Sequence, residues 1–392
     1  MKLTKLYIHN YKSFYDTTIE LDKLNIVVGE NNSGKSNLID VLEFIDIAMS
    51  KDIERAISDK GGYDKIKNYS AVGEEKVIVR ATFSPFSRKK IVSDLDQHFY
   101  DNNTYTLSLS FSKKYYMISI QIKDRFILIN KHYWNSKKDS KNKLYMYRST
   151  DKEKMDLRYL YTNIGIYVDS KLTIKGYDIF NQRSISTYYF NTQNIRDKSN
   201  QDNKNIELLK DGSNLGKVLF EIKENNKDNF EIISNSLITT VNEIENVEVQ
   251  KVLGSYAIGF KERGEESIAI HTVSDGTINF LATMTALNQY SESFLLVFEE
   301  PERHLHLNAI NYMLQAFRDS EKQILITTHS TEILKHAEIE EIVFIYRDTE
   351  GDTQSIRADA IPNLKRKMKR LAYERDVTLD ELIGEGMIGN FE

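Results

Sequence analysis

Between Leu24 and Ser50 the chain commits itself to one local geometry. Leu24-Asn25-Ile26-Val27-Val28 is mostly apolar and β-branched at its end, the composition of a strand buried on both faces. Gly29-Glu30-Asn31-Asn32-Ser33-Gly34-Lys35-Ser36 follows and satisfies G-x-x-x-x-G-K-[ST]. From Asn37 to Ser50, Leu38, Leu42, Ile45 and Met49 recur at helical spacing. Strand, glycine-bearing loop and helix in this order are what a phosphate loop requires. The glycines let backbone N–H groups wrap a phosphate, and the helix N-terminus adds positive potential. Lys35 is expected to bridge the β- and γ-phosphates of a nucleotide, and Ser36 to offer its hydroxyl to Mg²⁺. The expected nucleotide-binding residues are Gly29, Asn31, Asn32, Ser33, Gly34, Lys35, Ser36 and Asn37.

Three further segments extend the pattern. Phe294-Leu295-Leu296-Val297-Phe298 is an apolar strand that ends in Glu299-Glu300-Pro301-Glu302. In a phosphate-loop ATPase the strand-end acid holds Mg²⁺ through water, the place of Glu299, and the next acid, Glu300, can polarise the attacking water. Pro301 cannot continue a central strand and so ends the run just after the acids. Gln323-Ile324-Leu325-Ile326-Thr327-Thr328 reads as another buried strand, with His329 at its tip, where a donor could reach a γ-phosphate oxygen. Val273-Ser274-Asp275-Gly276-Thr277 precedes an apolar helix, with Ser274 as a good N-cap.

Composition narrows the class. The 392 residues contain no cysteine, which excludes disulfides, thiol nucleophiles and Cys-ligated metal centres. Lys+Arg 53 against Asp+Glu 58 gives a net charge of −5, unlike a basic nucleic-acid coat. No apolar run reaches the roughly 20 residues that span a bilayer, and the N-terminus lacks a signal-peptide core; a cytoplasmic protein without membrane contact is expected. Between Val77 and Ile174 short alternating strands rich in tyrosine predict an antiparallel sheet, with turns at Lys113-Lys114 and Lys123-Asp124 and a polar loop near Asn135 to Lys143. Asn200 to Asn246 reads as amphipathic helices, Val247 to Ile270 as strands, and Glu341 to Tyr346 as a further buried strand before a turn at Glu350-Gly351-Asp352.

Phosphate loop, Ser-Asp-Gly turn, Glu-Glu strand end and histidine strand, in that order, resemble the ATP-binding-cassette ATPases of the SMC/RecF/Rad50 class. The wording is most similar to the ATPase domain of the overcoming-lysogenization-defect (OLD) family and related AAA-family anti-phage defence ATPases. LYIHNYKSFYD, LNIVVGENNSGKSNLIDVL, TVSDGTINFLA, LLVFEEPERHLH and ILITTHSTEIL carry the resemblance, over roughly residues 1–50 and 205–345. It implies an α/β fold: a P-loop NTPase, ABC-type head with a mixed or parallel central sheet, an antiparallel β subdomain and a helical lobe. The expected organisation is an N-terminal ATPase lobe at 1–88, a β-rich insertion at 89–185, a helical and strand lobe at 186–262 and a C-terminal ATPase half at 263–392.

The resemblance also implies roles. Such heads form a homodimer or higher oligomer around ATP and Mg²⁺, so Ser274, Asp275 and Gly276 would cap the γ-phosphate held by another subunit's Lys35. Glu300 and His329 would be catalytic, and Ser36 and Glu299 would lie at the metal. Gln193 would join them from the Gln loop, with Asn191 and Asn194 as alternatives. Lys12 matches a basic phosphate-contacting position, and Arg196 would touch the nucleotide or the signature turn. No coiled-coil arm and no Toprim nuclease centre are evident; Asp348, Glu350 and Asp352 read as hairpin polar residues. A separate effector protein, a nuclease, is therefore the expected partner. A RecF-like DNA repair ATPase and a self-sufficient nuclease are the competing readings. His304 and His306 read as loop-shaping residues rather than a metal pair. The basic clusters at Lys365-Arg366-Lys367 with Lys369-Arg370, and at Lys131 to Lys143 with Trp134, are solvated faces or DNA contacts.

Overall fold

The computed structural model describes residues 1–71, 75–84, 104–122, 125–133, 145–148, 155–156, 166–168, 172–174, 184–198, 205–264, 267–362 and 364. A six-stranded sheet forms the centre, in the order β12 (Ile185–Tyr188), β16 (Leu295–Glu299), β17 (Gln323–Thr328), β3 (Leu24–Val28), β18 (Ile342–Arg347) and β19 (Thr353–Arg357). The first five strands are parallel and β19 returns antiparallel to β18. Every residue of β3 and of β17 is buried, because both faces of the sheet are covered.

Side-chain alternation sends β3 into two cores. Val27 faces a cluster with Leu38, Leu42, Ile45 and Met49 of helix α1 (Lys35–Ser50). Ile26 and Val28 face the opposite cluster, filled by α5 (Leu215–Asn225), α6 (Lys227–Thr240), α7 (Asp275–Asn288) and α8 (Leu307–Asp319). Helix α7 is buried from Gly276 through Ala286, which its apolar surround demands and its weak amphipathicity allows. The helices α2 (Ile53–Asp59), α3 (Tyr63–Ile66), α4 (Thr192–Lys198) and α9 (Thr331–His336) are short connectors.

The tyrosine-rich region forms the expected antiparallel sheet, but the first strands of the chain belong to the same sheet. Its order is β2 (Phe14–Glu20), β1 (Lys2–Tyr11), β4 (Val77–Ser84), β5 (Tyr105–Phe111), β6 (Tyr115–Ile122), β7 (Arg125–Tyr133), β8 (Tyr145–Arg148), β9 (Met155–Asp156). The sheet thus runs across position 88, since β4 pairs with β1 on one side and β5 on the other. Strands β10 (Ile166–Val168) and β11 (Leu172–Ile174) pair separately, and β13 (Ile244–Val252), β14 (Ser255–Glu262) and β15 (Ile268–Ala269) form a small sheet against α5 and α6. The loop at 135–143 with Trp134, and the basic cluster at 365–370, lie outside the described residues. Among the described residues no helix is long and apolar enough to cross a membrane.

Candidate active site

Strand register brings the motifs to one edge. Glu299 lies opposite Thr327, Thr327 opposite Val27, and Thr328 opposite Val28. The next residues along these parallel strands are Glu300, His329 and Gly29, so all three loops leave the sheet at the same level. Carboxyl ends of adjacent parallel strands are where open α/β sheets place ligands.

The phosphate loop is held from below by the last hairpin. A Cβ on Gly29 would stand 2.1 Å from the Ile345 carbonyl oxygen, and one on Gly34 2.4 Å from Thr353 Oγ1. Gly34 also adopts φ +119°, so this position requires glycine for both reasons. Asn32 takes a left-handed φ of 68°, and Asn31 and Asn32 are exposed. The buried Lys35 ammonium donates to the carbonyls of Gly29 (2.7 Å) and Glu30 (2.8 Å) inside its own loop. Burial lowers its pKa, against the opposing charges of Glu300 and Glu299. Ser33 Oγ is buried with no hydrogen-bond partner among the described residues. A loop of glycines, an ammonium resting on replaceable carbonyl partners and an unspent hydroxyl suit a polyphosphate.

The acids stand beside this loop. Burial raises the pKa of Glu299, the Glu300 charge adds to it, and a hydrogen bond from Ser36 partly offsets both. Ser36 and Glu299 line a common cavity of about 210 Å³ with Asp40 and Glu43. A hydroxyl and a carboxylate brought together at a helix N-terminus are a donor set that fits Mg²⁺. Glu300 holds a left-handed φ of 47°, its amide donating 2.9 Å to the Thr327 carbonyl. Its carboxylate accepts from Arg303 Nε and lies 3.7 Å from His329 Nε2. Burial and the neighbouring Lys35 depress the His329 pKa, with Glu300 opposing, so the fold favours the neutral imidazole.

The Ser-Asp-Gly turn opens α7 as expected. Ser274 Oγ accepts from the Thr277 amide at 3.1 Å. Asp275 pairs with Arg196, whose second nitrogen donates 2.8 Å to the Val273 carbonyl. Arg196 therefore braces the signature turn, the second of its two expected contacts. Gly276 packs against the loop after the acids: a Cβ there would stand 2.2 Å from the His304 carbonyl oxygen.

Other expected residues have different partners. Lys12, at a left-handed φ of 49°, forms an ion pair with Asp40 (2.6 Å). Asn37 donates to Ser13 Oγ at 2.7 Å. The structure does not bring Gln193 to the Ser36–Glu299 cavity; its amide donates to Asp197 on the same helix. Asn191 accepts from the Asn194 amide as the cap of α4, and Asn194 donates to Asp211. Tyr189 and Lys210 line the cavity instead. His304 and His306 are exposed, and among the described residues no group of three His, Cys, Asp or Glu could hold a metal. Asp348 accepts from the amides of Glu350 and Asp352, as a hairpin residue does.

Three residues escaped the motif reading. Thr353 donates to the Ser33 carbonyl at 2.8 Å. Asn279 donates to the carbonyls of Pro301 (3.1 Å) and Arg303 (3.0 Å). Glu302 accepts from the Thr328 hydroxyl, while its other oxygen is buried with no partner among the described residues, and burial pushes its pKa up to about 7. Only Glu302 had a local signal, the fourth letter of Glu-Glu-Pro-Glu.

Comparison with known proteins agrees with this geometry. The chain is 31% identical over 105 residues to an "ATP/GTP phosphatase" of Helicobacter pylori (strain ATCC 700392 / 26695), a match spanning 26% of each chain. Its fold is similar to that of an SMC head, solved bound to the C-winged helix domain of ScpA, with a TM-score of 0.54 at 13% identity over 91% of this chain and 98% of that one. The fold is thus the P-loop NTPase fold of SMC heads, a mixed α/β head. Residues 24–335 match the family described as "AAA domain, putative AbiEii toxin, Type IV TA system", and the chain belongs to that family of AAA domains.

Proposed function

We propose that this protein binds ATP with Mg²⁺ and hydrolyses it as a nucleotide-driven homodimer. The observation that carries the reading is the convergence of Lys35, Ser36, Glu299, Glu300 and His329 at one sheet edge. Lys35 would exchange its loop carbonyls for phosphate oxygens. Ser36 and Glu299 would hold Mg²⁺, which when bound neutralises charge on the phosphates. Glu300 would orient the attacking water, and His329 would donate to the γ-phosphate. Ser274 and Gly276 at the α7 N-terminus would meet the γ-phosphate of a second subunit.

In the wider setting the protein would be the sensor or scaffold subunit of an OLD-like anti-phage defence complex, with a separate effector nuclease. The family's toxin–antitoxin description supports that context. The test is ATP turnover with Mg²⁺, together with solution mass with and without ATP. Wild type should hydrolyse ATP; Glu300→Gln should lose ~10²–10⁴-fold in kcat and persist as an ATP-bound dimer. Wild-type turnover in that variant would remove Glu300 from its role. Capture of gene-neighbour products on the trapped dimer, identified by mass, tests the effector; a dimer that retains none of them would count against it.

A further inference from the structure

Helix α7 and the loop that begins at Glu300 are joined at two points on one helical face. Gly276 abuts the His304 carbonyl so closely that no side-chain carbon fits between them. One turn on, Asn279 is 5% exposed and spends both amide donors on loop carbonyls, those of Pro301 and Arg303. An i,i+3 pair of anchors fixes both translation and rotation of the loop relative to the helix.

The loop needs such an anchor. Glu300 (φ 47°) and His304 (φ 63°) both sit in the left-handed region, where a non-glycine residue persists only if its surroundings hold it. Within the loop, Arg303 N donates to the Glu300 carbonyl (3.2 Å) and Leu305 N to the Glu302 carbonyl (3.0 Å). These bonds stiffen the loop but do not place it. Placement comes from the Glu300 amide on Thr327, from Glu302 on the Thr328 hydroxyl and, from the other side, from Asn279. The same asparagine lines a cavity of about 240 Å³ with Glu299, Glu300 and Arg303.

We propose that Asn279 is a positioning residue for Glu300, tying the signature turn of a subunit to that subunit's own catalytic carboxylate. The inference rests on the proposed ATPase reading and adds a regulatory link to it. A phosphate docking on Ser274 and Gly276 from a second subunit moves α7, and α7 carries the Glu300 loop with it. Each active site then senses whether the other is filled. The Arg303 side chain on Glu300 reports the same displacement, because Arg303 is one of the two residues whose backbone Asn279 holds.

The test uses the full chain with Asn279→Ala and the near-isosteric Asn279→Leu. ATP affinity is read by titration with a fluorescent ATP analogue, kcat by phosphate release, and cooperativity by the Hill coefficient. Loss of placement should lower kcat by ~10–100-fold, leave affinity within a factor of about three, and reduce the Hill coefficient to about one, as expected of sites that have become independent. Unchanged kcat and cooperativity in folded variants would overturn the inference, as would equal loss of affinity and kcat. Should both variants fail to fold, Asn279→Ser, which is small enough for the site and removes the paired amide donors, is held to the same split. A wild-type chain that turns over no ATP overturns the ATPase reading itself; an active wild type with equally active variants overturns only the link.

Discussion

The Thr353 hydroxyl donates to the Ser33 carbonyl at 2.8 Å, so a residue near the end of the described chain holds the phosphate loop from beneath. The same hydroxyl shares a hydrogen bond with Ser13 Oγ, which accepts from Asn37 on α1. Arg347, in the same hairpin, donates to the Asn32 carbonyl at 3.0 Å. The loop is therefore clamped by the final hairpin and, through Thr353 and Asn37, by Ser13.

Thr353→Val keeps the volume and removes the donor. It leaves the buried Ser33 carbonyl unpaired, a loss of ~1–3 kcal/mol. The expected result is a lower melting temperature and an ATP dissociation constant several-fold higher, with kcat at saturation little changed. Equal affinity in the two proteins would show that the loop keeps its shape without the clamp.

Glu302 is a buried acid whose pKa is pushed up to about 7. The folded state therefore holds a proton that the unfolded state has lost once pH exceeds the ordinary carboxylate value. Stability from this residue is full below that value and is lost as pH rises toward 7. Glu302→Gln keeps an acceptor for Thr328 and removes the charge. Thermal melts should show the variant gaining on wild type as pH rises from 5 to 8, by up to ~3 kcal/mol. Parallel pH profiles would contradict the assignment.

Asp40 joins Lys12 and Lys60, each at 2.6 Å, and accepts from Tyr11 at 2.8 Å. Burial works against its ionised form, but the two lysines outweigh it and lower the pKa. Its stabilisation is thus present at neutral pH and lost as pH falls through that lowered value. Asp40→Asn strands the nearly buried Lys60 ammonium beside Glu43 alone and should cost ~2–3 kcal/mol. Lys12→Ala leaves Lys60 in place and should cost under ~1 kcal/mol. Chemical denaturation of the two variants decides it; equal losses would refute the ranking.

His329 has a pKa below the ordinary histidine value, through burial first and Lys35 second, with Glu300 opposing. Its neutral form is the one that the fold favours, so its contribution is present above the unfolded value and lost as pH falls through the folded one. Proton NMR titration should find the midpoint raised in Lys35→Ala and lowered further in Glu300→Gln. Shifts of the opposite sign would mean that His329 does not sit between these two charges.

Much of the site was legible from local chemistry. The run Leu24–Val28, its glycine loop and the helix after it read as strand, loop and helix because burial on both faces, glycine freedom and 3.6-residue spacing are each written within a few residues. The helix begins at Lys35, three positions before Leu38 opens its apolar spacing, since its first turn faces the loop and needs no apolar residue. Glu299, Glu300 and His329 were legible for a similar reason: each follows an apolar run, and the end of a parallel strand is a fixed place. Gln193 was not, because a glutamine near a strand end has no periodicity to fix its direction, and here its amide finds Asp197 one turn along α4.

What the sequence determined by itself was therefore the set of parts: a phosphate loop, two acid- and histidine-tipped strands and a capped signature helix. The tertiary structure alone decided which parts touch. The strand order β12-β16-β17-β3-β18-β19 puts the histidine strand between the acids and the phosphate loop, and the final hairpin beneath that loop. Asn279, Thr353 and Glu302 gain their partners only through that order. Their hydrogen bonds join loops brought together by strand pairing and helix packing, and no local pattern of apolar and polar residues encodes such a meeting.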